Sequence, residues 1–221
     1  EIGSSLSLPV MIEGQIAAVL NLNAFRTYAF SPEAQEMAKV FAAQIGVLLQ
    51  RLSLEHELEQ SNLELAKLAN YDALTGLPNR ALFADRLTQA ITQSSRQDRY
   101  TALLFLDLDG FKLINDSLGH SVGDELLKHV AERLVNCVRD DDTVARLGGD
   151  EFTIILSSLK APHDTIYVAE NVLHPLSQPF LLDGRELHIG ASIGITIYPD
   201  DGGNAQELVQ RLTAKHDLAD G

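Results

Sequence analysis

Three glycine-bearing acidic clusters in the second half of this 221-residue chain have residue types suited to a phosphorylated ligand. The first is Leu106-Asp107-Leu108-Asp109-Gly110-Phe111-Lys112. The apolar run Thr101–Asp107 reads as a buried central strand that ends in a carboxylate, which puts Asp107 at the rim of a sheet. Hard cations such as Mg²⁺ take one or two carboxylates and fill their shell with phosphate oxygens and water. Backbone N–H groups around Gly110 can cradle phosphate, and Lys112 adds positive charge. Taken alone, Asp-x-Asp also suits an ordinary strand-end turn.

The second cluster is Arg146-Leu147-Gly148-Gly149-Asp150-Glu151-Phe152. Two glycines at a hairpin tip permit positive φ and let a ligand approach the backbone closely. Adjacent carboxylates such as Asp150 and Glu151 repel unless a cation lies between them and the ligand. A plain type I′ turn explains Gly-Gly but not the acidic pair. The third cluster is Asn115-Asp116-Ser117-Leu118-Gly119-His120, followed by Gly123-Asp124-Glu125. Asn115 with Asp124 offers donors and acceptors that match a guanine edge. Helix capping competes with that reading, since Asp124 is also a favourable first residue for a helix over 124–138.

These clusters need elements to hold them. Ser5–Ile12 and Gln15–Leu22 around Glu13-Gly14 predict a β-hairpin. Ser31-Pro32 starts a helix with apolar positions Met37, Val40, Phe41, Ile45, Leu48 and Leu49 on one face. That helix runs on through Leu54, Leu58, Ser61, Leu65 and Leu68, a heptad spacing that suits a two-stranded coiled coil or an amphipathic helix packed on its own domain. Beyond the turn-rich joint Asp72–Arg80, helices are predicted at Ala81–Ser94, Gly123–Val138 and Asp164–Leu176, and from Ala205. Strands are predicted at Thr101–Asp107, Thr143–Leu147, Glu151–Ser157, Phe180–Leu182 and Glu186–Tyr198. The fold class is therefore α/β (α+β), with a mixed, largely antiparallel central sheet flanked by helices.

Composition narrows the function. The net charge of −14 argues against a nucleic-acid partner, and a polyanionic ligand would need cations or backbone amides to be held. One cysteine, Cys137, excludes a disulfide scaffold and a cysteine zinc cluster. No uninterrupted apolar run approaches the ~20 residues of a membrane span.

With the clusters assembled, Gly148-Gly149-Asp150-Glu151-Phe152 resembles the signature of the GGDEF family, the diguanylate cyclases. Asp72–Arg80, Asp107–Lys112, Asn115–His120 with Gly123-Asp124, and Ala191–Gly194 resemble that family's motifs in the same order, over about Tyr71 to Leu212. The resemblance implies a fold like the nucleotidyl cyclases and the polymerase palm. It implies that two GTP are condensed to cyclic di-GMP and pyrophosphate, with Mg²⁺ or Mn²⁺ on Asp107, Asp150 and the Leu108 carbonyl. Glu151 would assist beside the metals. Asn115 and Asp124 would bind guanine, while Gly110, Phe111, Lys112, Gly148 and Gly149 would line the triphosphate. Arg139 and Asp142 resemble an inhibitory site for the product.

Each domain would hold one GTP, so a homodimer through the linker helix and the GGDEF domains is implied. Residues 1–50 resemble the closing part of a GAF sensor domain, 51–70 read as linker, and 71–221 as the GGDEF domain. The tail Leu212–Gly221 departs from the family pattern, which places a phosphate-contacting Lys and Arg in this region; Lys215 does not match. Truncation, frameshift or a cloning tail would explain it, and weakened turnover would follow. The alternative is then a GTP- or cyclic di-GMP-binding regulatory module. Pro179–Glu186 resembles proteins in which an EAL domain follows. A cytoplasmic location is expected, with membrane tethering open for a longer protein.

Overall fold

The computed structural model describes residues 2–27, 30–182 and 184–217, the last five by backbone alone. Contacts divide the chain into two units, residues 1–65 and 66–221.

In the first unit, β1 (Ser4–Ile12) and β2 (Gln15–Ala24) form an antiparallel hairpin from Ser4↔Ala24 to Ile12↔Gln15. Glu13 and Gly14 both adopt positive φ, as a two-residue primed turn requires. Helix α1 (Pro32–Asn70) follows, with the Ser31 hydroxyl accepting the Ala34 N–H at 3.2 Å. Its buried face is small: Ala38, Ala42 and Gly46 are spaced by four, the two alanines packing with Leu8 and Val10 of the hairpin and Gly46 lying against the Met11 backbone. This corrects the expected apolar face. Met37, Val40, Phe41, Leu48 and Leu49 are exposed, and Ile45 is half-buried. Small residues let the helix backbone approach the strands, which leaves the large side chains on the far side.

The heptad positions Leu54, Leu58, Leu65 and Leu68 are 55–68% exposed. Val47 and Val40 precede Leu54 at the same seven-residue step and are exposed too. By length and composition alone α1 could also cross a membrane, although it holds no uninterrupted apolar run of ~20 residues.

The second unit begins with the joint, closed by a bridge between Tyr71 and Pro78. The elements then run α2 (Arg80–Gln97), β3 (Tyr100–Asp109), α3 (Phe111–Leu118), α4 (His120–Asn136), β4 (Thr143–Gly148), β5 (Glu151–Leu159), α5 (Asp164–Leu176), β6 (Phe180–Leu182), β7 (Arg185–Leu187), β8 (Gly190–Tyr198) and α6 (Ala205–Asp217). The Asn79 side chain caps α2 by accepting the Ala81 and Leu82 N–H groups. The main sheet has the order β4-β5-β3-β8 and is antiparallel throughout.

β3 is central and buried on both faces, so it is apolar at nearly every position. Leu104, Leu106 and Leu108 belong to the core built with Leu126, Leu127, Val130 and Leu134 of α4 and Val172 of α5. Leu103 and Phe105 alternate onto the other face, against Phe83 and Leu87 of α2 and Leu208 and Leu212 of α6.

Three local expectations change. Phe111–Leu118, not assigned from sequence, is a two-turn helix. Helix α4 starts at His120, ahead of Gly123. Glu186–Tyr198 is not one strand: β7 pairs with β6, and the chain resumes as β8 at the edge of the main sheet. The turn residue Asp183 lies outside the described residues.

Candidate functional site

The end of β3 meets the β4–β5 hairpin through sheet register. Leu106 pairs with Phe152. That pair is the last of the β3–β5 ladder: Asp107 follows Leu106, and Asp150 and Glu151 precede Phe152. These three acidic groups therefore share one end of the sheet. Asp107 and Glu151 fall on the same face by alternation, whereas Asp150 belongs to the turn and escapes that rule. Asp107 and Asp150 are half-buried, and the Leu108 side chain is buried. Gly148 and Gly149 have φ of 144° and 53°, and a Cβ on either would meet nothing within 4 Å. Conformation, not crowding, thus selects glycine at the tip, whose backbone faces open space.

Gly110 enters α3 in the left-handed region, Phe111 is buried behind it and Lys112 is exposed. Asp109 is committed elsewhere: its Oδ1 accepts the Ser192 hydroxyl of β8 at 2.8 Å. Glu151 lies 3.7 Å from Arg80, an exposed pair of little energetic weight.

Among the described residues no three His, Cys, Asp or Glu side chains gather as a metal site. Two carboxylates and the Leu108 carbonyl offer only hard oxygen donors. Beside an open glycine backbone, they fit a divalent cation whose shell is completed by ligand phosphates.

Arg146, which sequence reasoning did not single out as a site residue, joins this tip to the joint after α1. Its Nη1 donates to both Asp72 oxygens at 2.8 and 3.0 Å. Its Nε and Nη2 donate to the Gly149 carbonyl at 3.0 and 2.7 Å. Asp72 Oδ1 also accepts from the Thr75 N–H and hydroxyl. Burial pushes the Asp72 carboxyl up, but the Thr75 hydroxyl, the Arg146 guanidinium and the Thr75 N–H outweigh it, so its pKa is lowered. The clue in the sequence was an arginine four residues before Asp150 and an aspartate opening the joint.

Asn115 on α3 and Asp124 on α4 lie on either side of the α3–α4 corner. Gly119, at φ 89°, ends one helix and starts the next. Asp124 is then the fifth residue of α4, so the capping explanation for it fails and its exposed carboxylate is left for other use. Gly123 is buried, and a Cβ there would run into Asn115 Oδ1, itself buried without a hydrogen-bond partner. Only glycine at 123 leaves this amide its place.

Arg139 and Asp142 lie together before β4. Asp142 accepts the Arg139 N–H through Oδ2 and the Ser157 N–H through Oδ1, both at 3.1 Å. Burial raises its pKa, and the two N–H groups and Arg139's charge do not offset it. Both residues line a cavity of about 380 Å³ with Lys160, Asp164, Tyr167 and Asn171. At the other end of the chain, Leu212 is buried on α6. The departures expected beyond it, at Lys215 and the remaining tail, lie outside the described side chains.

An antiparallel β4-β5-β3-β8 sheet with acidic groups at a glycine hairpin defines a nucleotidyl-cyclase-like domain. The family model "Diguanylate cyclase, GGDEF domain" matches residues 69–216, and the chain belongs to the GGDEF family. The GAF domain model matches residues 1–49. The chain is 50% identical over 156 residues to the bifunctional diguanylate cyclase/cyclic di-GMP phosphodiesterase MucR of Pseudomonas aeruginosa, covering 71% of this chain and 23% of MucR. The crystal structure of the GGDEF domain of PA1120 (YfiN or TpbB) from Pseudomonas aeruginosa is 38% identical, with a TM-score of 0.64, over 66% of this chain and 91% of that one. The GGDEF domain of DgcB from Caulobacter crescentus, solved with c-di-GMP, is 28% identical, with a TM-score of 0.59, over 66% of this chain and 86% of that one. The chain spans 20–34% of the length of the first curated relatives it matches.

Proposed function

We propose that the second unit condenses two GTP into cyclic di-GMP and two pyrophosphates, as one of two domains facing each other in a homodimer. What supports this reading is the β3–β5 register, which ends at Leu106↔Phe152 and so leaves the end of β3, with Asp107 and Leu108, at the same end of the sheet as Glu151 and the glycine hairpin. Similarity to relatives named as diguanylate cyclases, and to a GGDEF domain solved with c-di-GMP, supports it.

In this reading Asp107, Asp150 and the Leu108 carbonyl would hold Mg²⁺ or Mn²⁺, which when bound would supply positive charge against the triphosphate and lower the pKa of the attacking hydroxyl. Gly110, Phe111, Lys112, Gly148 and Gly149 line the triphosphate, and Glu151 lies beside the reacting oxygens. Asn115 and Asp124 bind the guanine edge at the α3–α4 corner. The 3′-oxygen of each GTP forms a bond to the α-phosphorus of the other; each α-phosphate releases pyrophosphate, and each hydroxyl proton passes to solvent. Positioning supplies most of the rate. The exposed heptad stripe of α1 pairs two chains so that the half-sites meet. Cyclic di-GMP returning to Arg139 and Asp142 inhibits turnover.

The test is incubation with GTP and Mg²⁺, with cyclic di-GMP as the readout. Asp150→Ala should lower the rate by more than about 100-fold while far-UV circular dichroism stays unchanged. GTP binding by the wild-type chain without any product would instead assign it to the binding modules. Full activity in Asp150→Ala would remove Asp150 from the site.

A further inference from the structure

We infer that Asp109 and Ser192 are positioning residues: together they lock the turn Gly110-Phe111-Lys112 onto β8, and they keep the second acid of the Asp-x-Asp pair out of the cation cluster. The inference rests on reading that turn as lining the triphosphate and Asp107 as a cation ligand.

β3 outruns its partner on one side. Its ladder with β5 stops at Leu106↔Phe152, whereas its ladder with β8 continues through Asp107↔Ser192 and Leu108↔Ala191 to Asp109↔Gly190. The acidic end of β3 therefore takes its strand pairing from β8 alone. Helix α3 starts immediately afterwards, and its N-cap Gly110 supplies no side-chain bond. Phe111 anchors the first turn from the core side. On the open side the chain depends on what holds Asp109.

Asp107 and Asp109 are two residues apart on a strand, so both side chains leave the same face. Two carboxylates so placed repel each other or compete for one cation. Two features of β8 separate them. The Ser192 hydroxyl, directly across from Asp107, donates diagonally to Asp109 Oδ1 at 2.8 Å. Gly190, across from Asp109, clears space for the other oxygen: a Cβ there would lie 2.5 Å from Asp109 Oδ2 and 3.4 Å from its Cγ. The φ of Gly190 is outside the left-handed region, so room and not conformation selects this glycine. The carboxylate is thus seated over β8 and held there by a charge-assisted bond, at the last residue before the turn.

These contacts define variants that separate a lock from a ligand. Gly190→Ala displaces the Asp109 carboxylate without changing any charge. Ser192→Ala removes the donor and Asp109→Ala the acceptor. Asp109→Asn keeps an acceptor oxygen but gives up the charge that a cation would need. Three quantities are read in the full chain. The first is hydrogen exchange by mass spectrometry, without nucleotide, over residues 110–114, where the Leu113 and Ile114 amides bond to the Gly110 carbonyl, and over β5. The others are the KM for GTP in cyclic di-GMP formation and the Mn²⁺ concentration for half-maximal rate. Gly190→Ala, Ser192→Ala and Asp109→Ala should each speed exchange at 110–114 and raise the KM by about fivefold, with exchange at β5 unchanged. Asp109→Asn should fall between them and wild type in both readouts and keep the Mn²⁺ half-saturation within about twofold.

Loss of Mn²⁺ response in Asp109→Asn as large as in Asp107→Asn would make Asp109 a cation ligand and overturn the inference. Wild-type exchange at 110–114 in Ser192→Ala and Asp109→Ala overturns it as well. So does faster exchange spread evenly over the turn and β5, which marks a merely structural bond. If Gly190→Ala does not fold, the same criteria apply to Ser192→Ala. Exchange needs no turnover: where wild type forms no product, a turn that loosens in these variants keeps the lock, and the cyclase reading alone is lost.

Discussion

Two arginine–aspartate pairs flank the same strand and are put to opposite uses. At one, Arg146 of β4 places its guanidinium on Asp72, with side chains only 11% and 22% exposed. At the other, just before β4, Arg139 gives Asp142 its backbone N–H, and among the described residues its guanidinium forms no ion pair. Both carboxylates also take a further backbone N–H, from Thr75 and Ser157 respectively. What separates them is the charged partner. Asp72 titrates below the ordinary carboxylate range despite burial, whereas burial holds Asp142 above it. A guanidinium bound at short range serves architecture. One left at the mouth of a cavity with Lys160, Tyr167 and Asn171 remains available to a ligand.

The largest difference should appear in stability. Arg146→Ala leaves Asp72 partly buried without its counter-charge and leaves the Gly149 carbonyl without its donors. Urea unfolding should show a loss of about 2–4 kcal/mol. Arg139→Ala removes no ion pair and should stay within about 0.5 kcal/mol of wild type. Similar losses in the two variants would break the comparison. Product binding should reverse the order: Arg139→Ala should weaken cyclic di-GMP affinity, read by calorimetry, by at least about tenfold. Unchanged affinity would remove Arg139 from the inhibitory site.

The contrast also marks how far sequence carries. Asp107, Gly148, Gly149, Asp150 and Glu151 were legible because a buried strand, a glycine turn and clustered acids are each local patterns. The antiparallel sheet followed from apolar runs of strand length. Arg146 stayed hidden as a site residue because its partner lies 74 positions earlier. Spacing cannot report a contact between a joint and a hairpin. Phe111–Leu118 escaped because eight residues between two glycines hold too few turns to show a period. The buried face of α1 was misjudged for a packing reason. Large residues were assigned to the core, but Ala38, Ala42 and Gly46 fill it because the β1–β2 hairpin packs tightly there. The seam Leu54–Leu68 was legible as a heptad, and its exposure leaves the same spacing unpartnered within one chain.

The smallest effect, and the sharpest in sign, lies in acid. Asp72 has its folded pKa lowered, so its stabilising contribution is present above the ordinary carboxylate range and is lost as pH falls through the folded value. Asp142 has its folded pKa raised, so ionising it costs stability near neutral pH, and that cost disappears as pH falls through the folded value toward the ordinary one. Urea midpoints measured from neutral pH down into the carboxylate range should therefore diverge. The advantage of wild type over Asp72→Asn should shrink with acid. Wild type should gain on Asp142→Asn over the same descent. Each slope isolates one carboxylate, because the two sites share no hydrogen-bond partner. Parallel slopes would mean that the guanidinium on Asp72 does not set the difference between the two pairs.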